Sequence, residues 1–346
     1  MDRTKWRLTL NQSFIESPTK RVFSGIQPTG EAHLGNYLGA VRNWVELQAH
    51  NEAFFCIVDL HALTLPWDPH RLRAHTLGKA AELIACGIDP DRSVLFVQSH
   101  VPAHAELSWI LTCVARMGEL RRMIQFKEKS RGQSESVGVG LFAYPVLQAA
   151  DVLLYRAHGV PVGEDQKQHV ELMRDLAGRF NASFGATFVL PEAWIPPTGA
   201  RIMALDEPTQ KMSKSARRPQ SSIQLVDPPE VIAKKIRSAV TDSGRDVVSG
   251  PDKPALTNLL SIFSLLQGTP VPALEERFRS SGYAEFKQAL TDVLIEALAP
   301  IRERYEELQA DPGETERLLA VGAKRATEVA ATTMADVREK VGLQAP

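Results

Sequence analysis

Two segments of the chain carry side chains suited to binding a polyphosphate. Near the N-terminus, a β-rich run (22–24) leads through a turn (28–30) into a helical pattern that begins at His33. The first N–H groups of a helix lack intrahelical partners and can bind an anion, and Gly35 would let a phosphate approach the backbone closely. Asn36 is one helical turn from His33, so both side chains can face the same ligand. By itself, such a segment is more often only a turn.

The second segment is KMSKS, at Lys211–Ser215, within a polar stretch. Its two lysines stand three positions apart, with Ser213 between them. This arrangement suits a mobile loop that closes on a polyphosphate, because each ammonium group acts as a point charge. A solvated basic loop is the simpler alternative for a charged run. We favour the first interpretation because the two segments would complement each other around one triphosphate.

A third segment, between residues 144 and 168, predicts a recognition pocket. Tyr144, Gln148 and Asp151 recur at spacings of four and three, so in a helix they share one face. An Asp in an otherwise apolar helix is costly to bury without a partner. A partly exposed helix or a salt bridge to an arginine would also explain this residue. Beside phosphate-binding segments, we favour a carboxylate that accepts a hydrogen bond from a substrate N–H group.

The elements that must position these residues indicate a parallel α/β sheet. Phe54–Val58 is a continuous apolar run that fits a strand covered on both faces, Leu72–Cys86 has a helical pattern, and Val94–Val97 is the next apolar strand. Alternation of strand, helix and strand predicts a doubly wound sheet whose ligands bind at the carboxyl ends of the strands. His61 and Gln98 fall at such ends, where a structural hydrogen bond and a ligand contact are equally good explanations.

Beyond residue 222 the pattern changes from strands to helices. Two apolar stripes recur at spacings of three and four, one over 286–308 and one over 319–341, and predict a helical bundle. Lys234, Lys235 and Arg237 would form either a phosphate-facing patch or a solvated helix face. We therefore divide the chain into four parts: an N-terminal extension (1–20), a Rossmann-like domain (21–205), a loop carrying KMSKS (206–222) and a helical domain (223–346), whose last helix could pack back on the Rossmann-like domain.

The composition is that of a globular protein without an overall attraction to nucleic acid. The chain has 346 residues, 44% of them hydrophobic, and a net charge of -1. Cys56, Cys86 and Cys113 are scattered, which favours thiols in a reducing compartment and predicts no structural metal. Residues 1–20 lack the apolar stretch of a secretory signal, and no run approaches membrane-spanning length, so we expect a cytoplasmic protein with no membrane contact.

These segments resemble the signature of the class I aminoacyl-tRNA synthetases, which pairs HLGN with KMSKS. From about Arg21 to the C-terminus, the segments GIQPTG, HLGNYLGA, FKEKS, YPVLQAADVLLY, VGEDQKQH and GARIM are similar to the bacterial tryptophanyl-tRNA synthetase family. The resemblance implies a Rossmann-like doubly wound parallel sheet followed by an α-helical anticodon-binding domain. It also implies ATP-dependent activation of L-tryptophan, transfer to tRNA(Trp), Mg²⁺ bound through the phosphates, and a homodimer.

The resemblance assigns roles to individual residues of this chain. His33 and Asn36 would contact the phosphoryl groups of ATP, and Lys211 and Lys214 the leaving pyrophosphate. Asp151 would accept the indole N–H of tryptophan. The implied tryptophan site contains Asp151, Phe23, Gln27, His61, Tyr144, Gln148, Val162 and Gln166. The implied ATP site contains Gln27, Pro28, Thr29, Gly35, Asn36, Lys129, Gly163, Glu164, Asp165, Ile202, Lys211, Met212, Ser213, Lys214 and Ser215.

Two departures from the family pattern and three alternatives stay open at this point. Position 148 is Gln where some members carry Met, and Ala216, Arg217 and Arg218 follow KMSKS where many members have Asp and Pro. A tyrosine-specific synthetase would share the architecture. Another nucleotidyltransferase could use HLGN, but it would leave KMSKS and the helical tail without a reason. A synthetase-like protein that binds RNA without catalysis would not need His33 and both lysines.

Overall fold

A computed structural model describes residues 19–124, 138–195, 201–213 and 218–344 of the chain. The strands are β1 (Arg21–Ile26), β2 (Glu52–Ile57), β3 (Val94–Val97), β4 (Gly159–Pro161) and β5 (Glu192–Trp194). The helices that precede β4 are α1 (Leu34–Asn36), α2 (Arg42–Leu47), α3 (Asp59–Ala62), α4 (Pro69–Ala85), α5 (Ala103–Val114), α6 (Met117–Arg121) and α7 (Val139–Leu153). The later helices are α8 (Lys167–Phe184), α9 (Pro229–Ser238), α10 (Pro254–Gln267), α11 (Val271–Arg277), α12 (Tyr283–Ala310) and α13 (Pro312–Val341).

The five strands form one parallel sheet in the order β3-β2-β1-β4-β5. The predicted doubly wound parallel sheet is confirmed. The chain runs outward from β1 through β2 to β3 and then returns to the other side of β1 as β4. In such sheets, ligands bind at the carboxyl ends of the strands where this reversal occurs. The crevice between the ends of β1 and β4 is therefore the expected binding site.

Alternate residues of the inner strands enter two different hydrophobic clusters, one on each face of the sheet. Phe55 and Ile57 of β2 pack with the cluster that includes α4, α10 and α12. Phe54 and Cys56 pack with the opposite cluster, which includes α5, α7 and α8. Side chains of a strand alternate between faces with a period of two, so a strand that is apolar throughout must be covered on both sides. This is the arrangement that the apolar run 54–58 predicted.

The two apolar stripes of the C-terminal region form the long helices α12 and α13, as predicted. Helix α13 packs against β3, the edge strand, so closely that a Cβ atom on Gly322 would lie 1.8 Å from the carbonyl oxygen of Leu95. The Arg325 guanidinium donates to the carbonyl oxygen of Ser93 at 3.0 Å. The C-terminal part of α13 contributes to the cluster on the α5 and α7 side through Ala326, Ala330, Met334 and Val337, whereas Leu319 nearer its start belongs to the opposite cluster. The last helix thus covers the sheet edge at β3, which would otherwise be exposed, and completes the core of the strand-containing part.

Three smaller predictions can be compared with the structure. Lys235 is buried and pairs with Asp227 at 2.6 Å, so its interpretation as a phosphate-facing residue was wrong; Lys234 and Arg237 remain exposed. Two of the three cysteines are buried, and Cys113 is exposed. Within the described ranges, no helix has the length and apolar content needed to span a membrane.

We expect Gly322→Ala to lower the free energy of unfolding by about 1–3 kcal/mol, because the added methyl group would overlap the backbone of β3. Gly178→Ala in α8 is the matched control, since its Cβ would meet no heavy atom within 4 Å. The free energy of unfolding of the control should rise by up to about 1 kcal/mol, because Ala has a higher helix propensity than Gly. Equilibrium urea unfolding measures both variants, and equal effects would contradict the close packing of α13 on β3.

Candidate active site

The turn after β1 forms the first part of the site. His33 is the N-cap of α1, and its Nδ1 accepts the backbone N–H of Asn36 at 3.3 Å, while the Asn36 Oδ1 accepts the backbone N–H of His33 at 3.2 Å. The prediction that these two side chains lie together at a helix start is confirmed. The expectation of open N–H groups was wrong in part, because those of Leu34 and Asn36 have protein acceptors. A helix of three residues needs its own side chains as caps.

The chain beyond KMSKS returns to this turn by backbone pairing. His33 and Gln224 form an antiparallel bridge. Leu34 N–H donates to the Ile223 carbonyl at 2.8 Å, and Leu225 N–H donates to the Ala32 carbonyl at 3.0 Å. The segment 223–225, which follows KMSKS, therefore lies against the start of α1 although nearly two hundred residues separate the two along the chain.

The first residues of KMSKS lie on the same side of the turn. Met203 and Lys211 form an isolated bridge, and Met212 N–H donates to the Ile202 carbonyl at 2.9 Å. A Cβ on Gly35 would lie 3.5 Å from the Cβ of Ile202. Met212 is buried, whereas Lys211 and Ser213 are exposed. Lys129, Lys214 and Ser215, which were also predicted to contact ATP, lie outside the described residues.

A buried ion pair holds the turn from the opposite side. The Ala32 N–H donates to Glu82 Oε1 at 3.0 Å, and Glu82 Oε2 pairs with Lys79 one turn earlier on α4. Lys79 and Glu82 are only 2% and 5% exposed. The sequence reasoning missed this pair, although two opposite charges three apart within a predicted helix were a usable signal. Because Ala32 directly precedes His33, the pair fixes where α1 begins.

Asp151 of α7 is the centre of a second group of polar side chains. Its Oδ1 accepts hydrogen bonds from Gln98 Nε2 at 2.7 Å and from His104 Nδ1 at 2.6 Å. Its Oδ2 accepts one from His61 Nε2 at 2.8 Å. The carboxylate is only 1% exposed, and its partners come from three other elements. The predicted burial of Asp151 is confirmed, and its partners among the described residues are two histidines and an amide rather than an arginine.

These donors keep Asp151 ionised. Burial alone would raise the pKa of this carboxyl group, but the hydrogen bonds from His104 and His61, together with the attraction of the same side chains, outweigh it and hold the pKa below its ordinary value. An ionised carboxylate has no proton to donate, so each of its neighbours must donate to it. The site therefore presents a fixed negative acceptor inside an apolar core.

The other residues predicted for the tryptophan site lie at different depths. The Tyr144 hydroxyl is 3.0 Å from His169 Nε2, and the edge of its ring meets His61, with ring centres 6.2 Å apart. Burial raises the pKa of Tyr144 to about 12, so the hydroxyl keeps its proton at neutral pH. Phe23 is buried and stacks on Tyr155 at 5.6 Å. Gln148, Val162 and Gln166 are half-buried.

Residues predicted for ATP also line the crevice between β1 and β4. Gln27 is half-buried, Pro28 is buried and Thr29 is exposed just beyond β1, and Thr29 N–H donates to the Gln27 carbonyl at 2.9 Å. Beyond β4, Glu164 and Asp165 are exposed. A Cβ on Gly163 would come within 2.7 Å of Asp165 Oδ1, so a larger residue here would displace that exposed carboxylate. The two sets follow the carboxyl ends of neighbouring strands, at the reversal point of the sheet.

Two functional candidates were missed by sequence reasoning. His104 lies in α5, 47 positions from Asp151, and His169 lies in α8, 25 positions from Tyr144. Each is a single histidine on a buried helix face, a pattern more typical of a satisfied core residue. The one sequence signal that could have found these two histidines is that a buried Asp and a buried Tyr each need hydrogen-bond partners. Among the described residues, no group of three His, Cys, Asp or Glu is arranged to hold a metal ion.

Comparisons with known proteins agree on one family. The family model described as class I tRNA synthetases (W and Y) matches residues 17–299. The tryptophan–tRNA ligase of Caldanaerobacter subterraneus subsp. tengcongensis is 53% identical over 94% of this chain and 98% of its own length. That of Corynebacterium glutamicum is 51% identical over 97% of this chain and 99% of its own.

Solved structures give the same result. The tryptophanyl-tRNA synthetase of Mycoplasma pneumoniae superposes with a TM-score of 0.84 at 37% identity, covering 94% of this chain and 98% of that one. The Campylobacter jejuni enzyme, in complex with ADP and tryptophan, superposes with a TM-score of 0.82 at 36% identity, covering 93% and 100%. A tyrosyl-tRNA synthetase from Archaeoglobus fulgidus shares the fold, with a TM-score of 0.66 at 22% identity.

Removal of one partner from the buried pair on α4 should be costly. Lys79→Met leaves the Glu82 carboxylate buried beside only the Ala32 N–H, and we expect a loss of about 3–5 kcal/mol in the free energy of unfolding. Adding Glu82→Gln to the Lys79→Met variant should restore most of the lost free energy of unfolding, since Gln keeps an acceptor for the Ala32 N–H without the charge. Urea unfolding measures these variants.

The matched control for this pair is an exposed one at the same spacing, Glu276 and Arg279. Arg279→Met should change the free energy of unfolding by less than about 0.5 kcal/mol, because solvent screens the pair. If Lys79→Met behaved like Arg279→Met, Glu82 would not be a buried charge that holds the turn.

Proposed function

This chain belongs to the class I tRNA synthetases specific for tryptophan or tyrosine, and from that membership we propose that it is the tryptophan–tRNA ligase of its cell. It activates L-tryptophan with ATP to tryptophanyl-adenylate and transfers the tryptophanyl group to tRNA(Trp). The observation that carries the choice of amino acid is the buried, ionised Asp151 beside a crevice that the two nucleotide segments share. Identity near 50% to tryptophan–tRNA ligases over nearly the full chain supports it.

The tryptophan half of the site uses a fixed acceptor. Asp151 accepts the indole N–H, because a buried carboxylate gains a strong charge-assisted bond from a ring nitrogen. His61 and Val162 line the ring, with Phe23 packed beneath it against Tyr155. Tyr144, Gln148 and Gln166 supply oxygens toward the α-amino group, and Gln27 lies toward the carboxylate. A site built to pair with a ring N–H can reject rings without one by ~10⁴ or more, so no editing step is needed.

Adenylate formation needs alignment and positive charge and does not need a covalent intermediate on the protein. The tryptophan carboxylate attacks the α-phosphorus of ATP in line with the departing pyrophosphate, and negative charge grows on the phosphoryl oxygens. His33 and Asn36 donate to these oxygens, and Lys211 and Lys214 follow the pyrophosphate. One preorganised donor of this kind is worth on the order of 3 kcal/mol. The substrate is the magnesium complex of ATP, since the phosphates themselves are ligands that Mg²⁺ prefers.

The nucleotide lies across the crevice between β1 and β4. The backbone at Gly35 and Gly163 has no side chain to obstruct a phosphate or a sugar, and Asp165 is placed to accept from ribose hydroxyls. Ile202 and Met212 bring apolar surface to the adenine ring. This assignment rests on their common position around α1 and on the complex of the Campylobacter jejuni enzyme with ADP and tryptophan.

The helical region from 223 to 346 receives the anticodon of tRNA(Trp), and the enzyme works in the cytoplasm. The exposed Lys234 and Arg237 on α9 offer charge for phosphate contacts. This division of labour rests on the family's architecture, in which the parallel sheet carries the chemistry.

A homodimer is supported by apolar side chains left at the surface on adjoining elements. Trp109 of α5 is 70% exposed, Met117 of α6 58%, Ile124 57% and Val139 of α7 80%. Helix α7 packs on both α5 and α6, so these side chains lie on adjoining elements, whose outer side we call the α5–α7 surface. Apolar side chains gathered on one surface mark an interaction site, and a second copy of the chain is the partner that the family implies.

The direct test of the function is amino-acid-dependent exchange between pyrophosphate and ATP on the purified protein. We expect exchange with tryptophan and none above background with tyrosine. Faster exchange with tyrosine than with tryptophan would indicate a tyrosine-specific synthetase instead. Absence of exchange with either amino acid would favour the non-enzymatic alternative.

Within this assay, Lys211→Ala should lower the exchange rate at least tenfold, because the leaving pyrophosphate loses a point charge. Tryptophan affinity, measured by calorimetry, should stay nearly unchanged. Arg218→Ala, at an exposed arginine just beyond the motif, is the control and should keep the wild-type rate. An equal loss in both variants would indicate only a general effect of positive charge.

The α5–α7 surface gives a separate prediction. Trp109→Glu should convert the dimer to a monomer in sedimentation velocity, since it places a charge in an apolar interface. Val321→Glu, at an equally apolar exposed position on α13 that is 57% exposed, should leave the dimer intact. A dimeric Trp109→Glu variant would mean that the copies meet elsewhere.

A further inference from the structure

The two oxygens of Asp151 have different numbers of partners. Each carboxylate oxygen offers about two lone pairs. Oδ1 accepts from both Gln98 Nε2 and His104 Nδ1, at 2.7 and 2.6 Å, and is therefore saturated. Among the residues that the structure describes, Oδ2 accepts only from His61 Nε2, at 2.8 Å, which leaves it one lone pair. The carboxylate is thus divided into an anchored oxygen and an oxygen with remaining capacity.

The ring nitrogen of His104 that does not contact Asp151 also has a hydrogen-bond partner. Because Asp151 is ionised and can only accept, the proton of the His104 ring lies on Nδ1. The other ring nitrogen, Nε2, forms a hydrogen bond of 2.8 Å with the Tyr155 hydroxyl. Tyr155 is fully buried and stacks against Phe54 at 4.7 Å, so it cannot turn away. The order of hydrogen bonds runs from Tyr155 through His104 to Oδ1.

Gln98 is fixed by a second bond. Its Oε1 accepts the backbone N–H of Leu60 at 3.1 Å, which leaves Nε2 directed at Asp151. Gln98 follows β3 directly and has no exposed surface. Two rigid donors therefore meet on one oxygen from two different elements, β3 and α5. An aspartate carboxyl group otherwise turns easily, because the terminal torsion of its side chain is broad.

We propose that His104 and Gln98 are positioning residues for amino-acid selection: by occupying Oδ1, they leave Oδ2 as the single atom that accepts the indole N–H. This inference rests on the proposed function. Neither residue touches the substrate in this scheme. Their effect is to hold Oδ2 at the angle that a ring N–H requires, and supporting groups of this kind determine how well a buried acceptor discriminates.

The test compares tryptophan with its analogue β-(3-benzothienyl)alanine, in which sulfur replaces the ring N–H at nearly the same shape. The measured quantity is discrimination, the ratio of kcat/KM for tryptophan to kcat/KM for the analogue in the activation reaction. A loss of general fold or of ATP binding lowers both values together and leaves the ratio unchanged. A loss of orientation at Oδ2 lowers only the value for tryptophan.

His104→Leu removes the donor to Oδ1, whereas His104→Asn keeps one, because the Asn Nδ2 can occupy nearly the place of the His Nδ1. We expect His104→Leu to reduce discrimination at least tenfold and His104→Asn to stay within about threefold of wild type. The KM for ATP should change little in either variant. If His104→Leu retained wild-type discrimination, or if both variants lost it equally, the inference would be overturned.

Gln98→Met serves as the second variant if His104→Leu does not fold, since it removes the other donor to Oδ1. It should also lower discrimination at least tenfold; wild-type discrimination would refute the anchoring of Oδ1. Asp151→Asn separates this inference from the proposed function. A wild-type protein without tryptophan-dependent exchange would end the proposed function itself. An active Asp151→Asn variant that kept wild-type discrimination would refute only the proposed role of Oδ2, and the proposed function would stand.

Discussion

The proposed tryptophan half of the site depends on one constraint, a negative charge buried at Asp151. An ionised carboxylate inside a core costs several kcal/mol unless donors surround it. Its donors come from α3, the end of β3 and α5, so the fold must bring these elements to α7 before the charge is tolerated. Once surrounded, the carboxylate is a strong and immobile acceptor. The same low dielectric that makes the charge expensive therefore makes its remaining lone pair selective.

The proposed nucleotide half is built differently, mainly from backbone. The start of α1 is held on one side by pairing with residues 223–225 and on the other by Glu82. Within this frame, His33 and Asn36 cap each other through bonds of 3.2 and 3.3 Å, which are long for hydrogen bonds to nitrogen or oxygen. A phosphate oxygen offers a charge-assisted partner about twice as strong. The capping bonds thus keep the two side chains in position and can be exchanged for bonds to the ligand.

Local sequence pattern predicted much of this structure, because strands and helices follow from periodicity over a few residues. Val94–Val97 was predicted with its observed limits, and both long C-terminal helices followed from their apolar stripes. The pairing of side chains was harder. Nothing near His104 in the chain reveals that its partner is Asp151, and nothing near His33 reveals that its backbone would pair with Gln224. Such contacts depend on the path of the whole chain, and only the need of a buried charge for donors hints at them.

The same reasoning explains why a boundary at residue 222 describes the sequence better than the packing. Helix α12 contributes Leu290 and Leu294 to the cluster that also contains strand residues of β2 and β3. Helix α13 lies on β3, and Gln98 follows directly where β3 ends. A movement of the helical region would therefore affect the two halves of the site through different contacts. The nucleotide half would sense it through backbone pairing at 223–225, and the tryptophan half through the strand that supports an Asp151 donor.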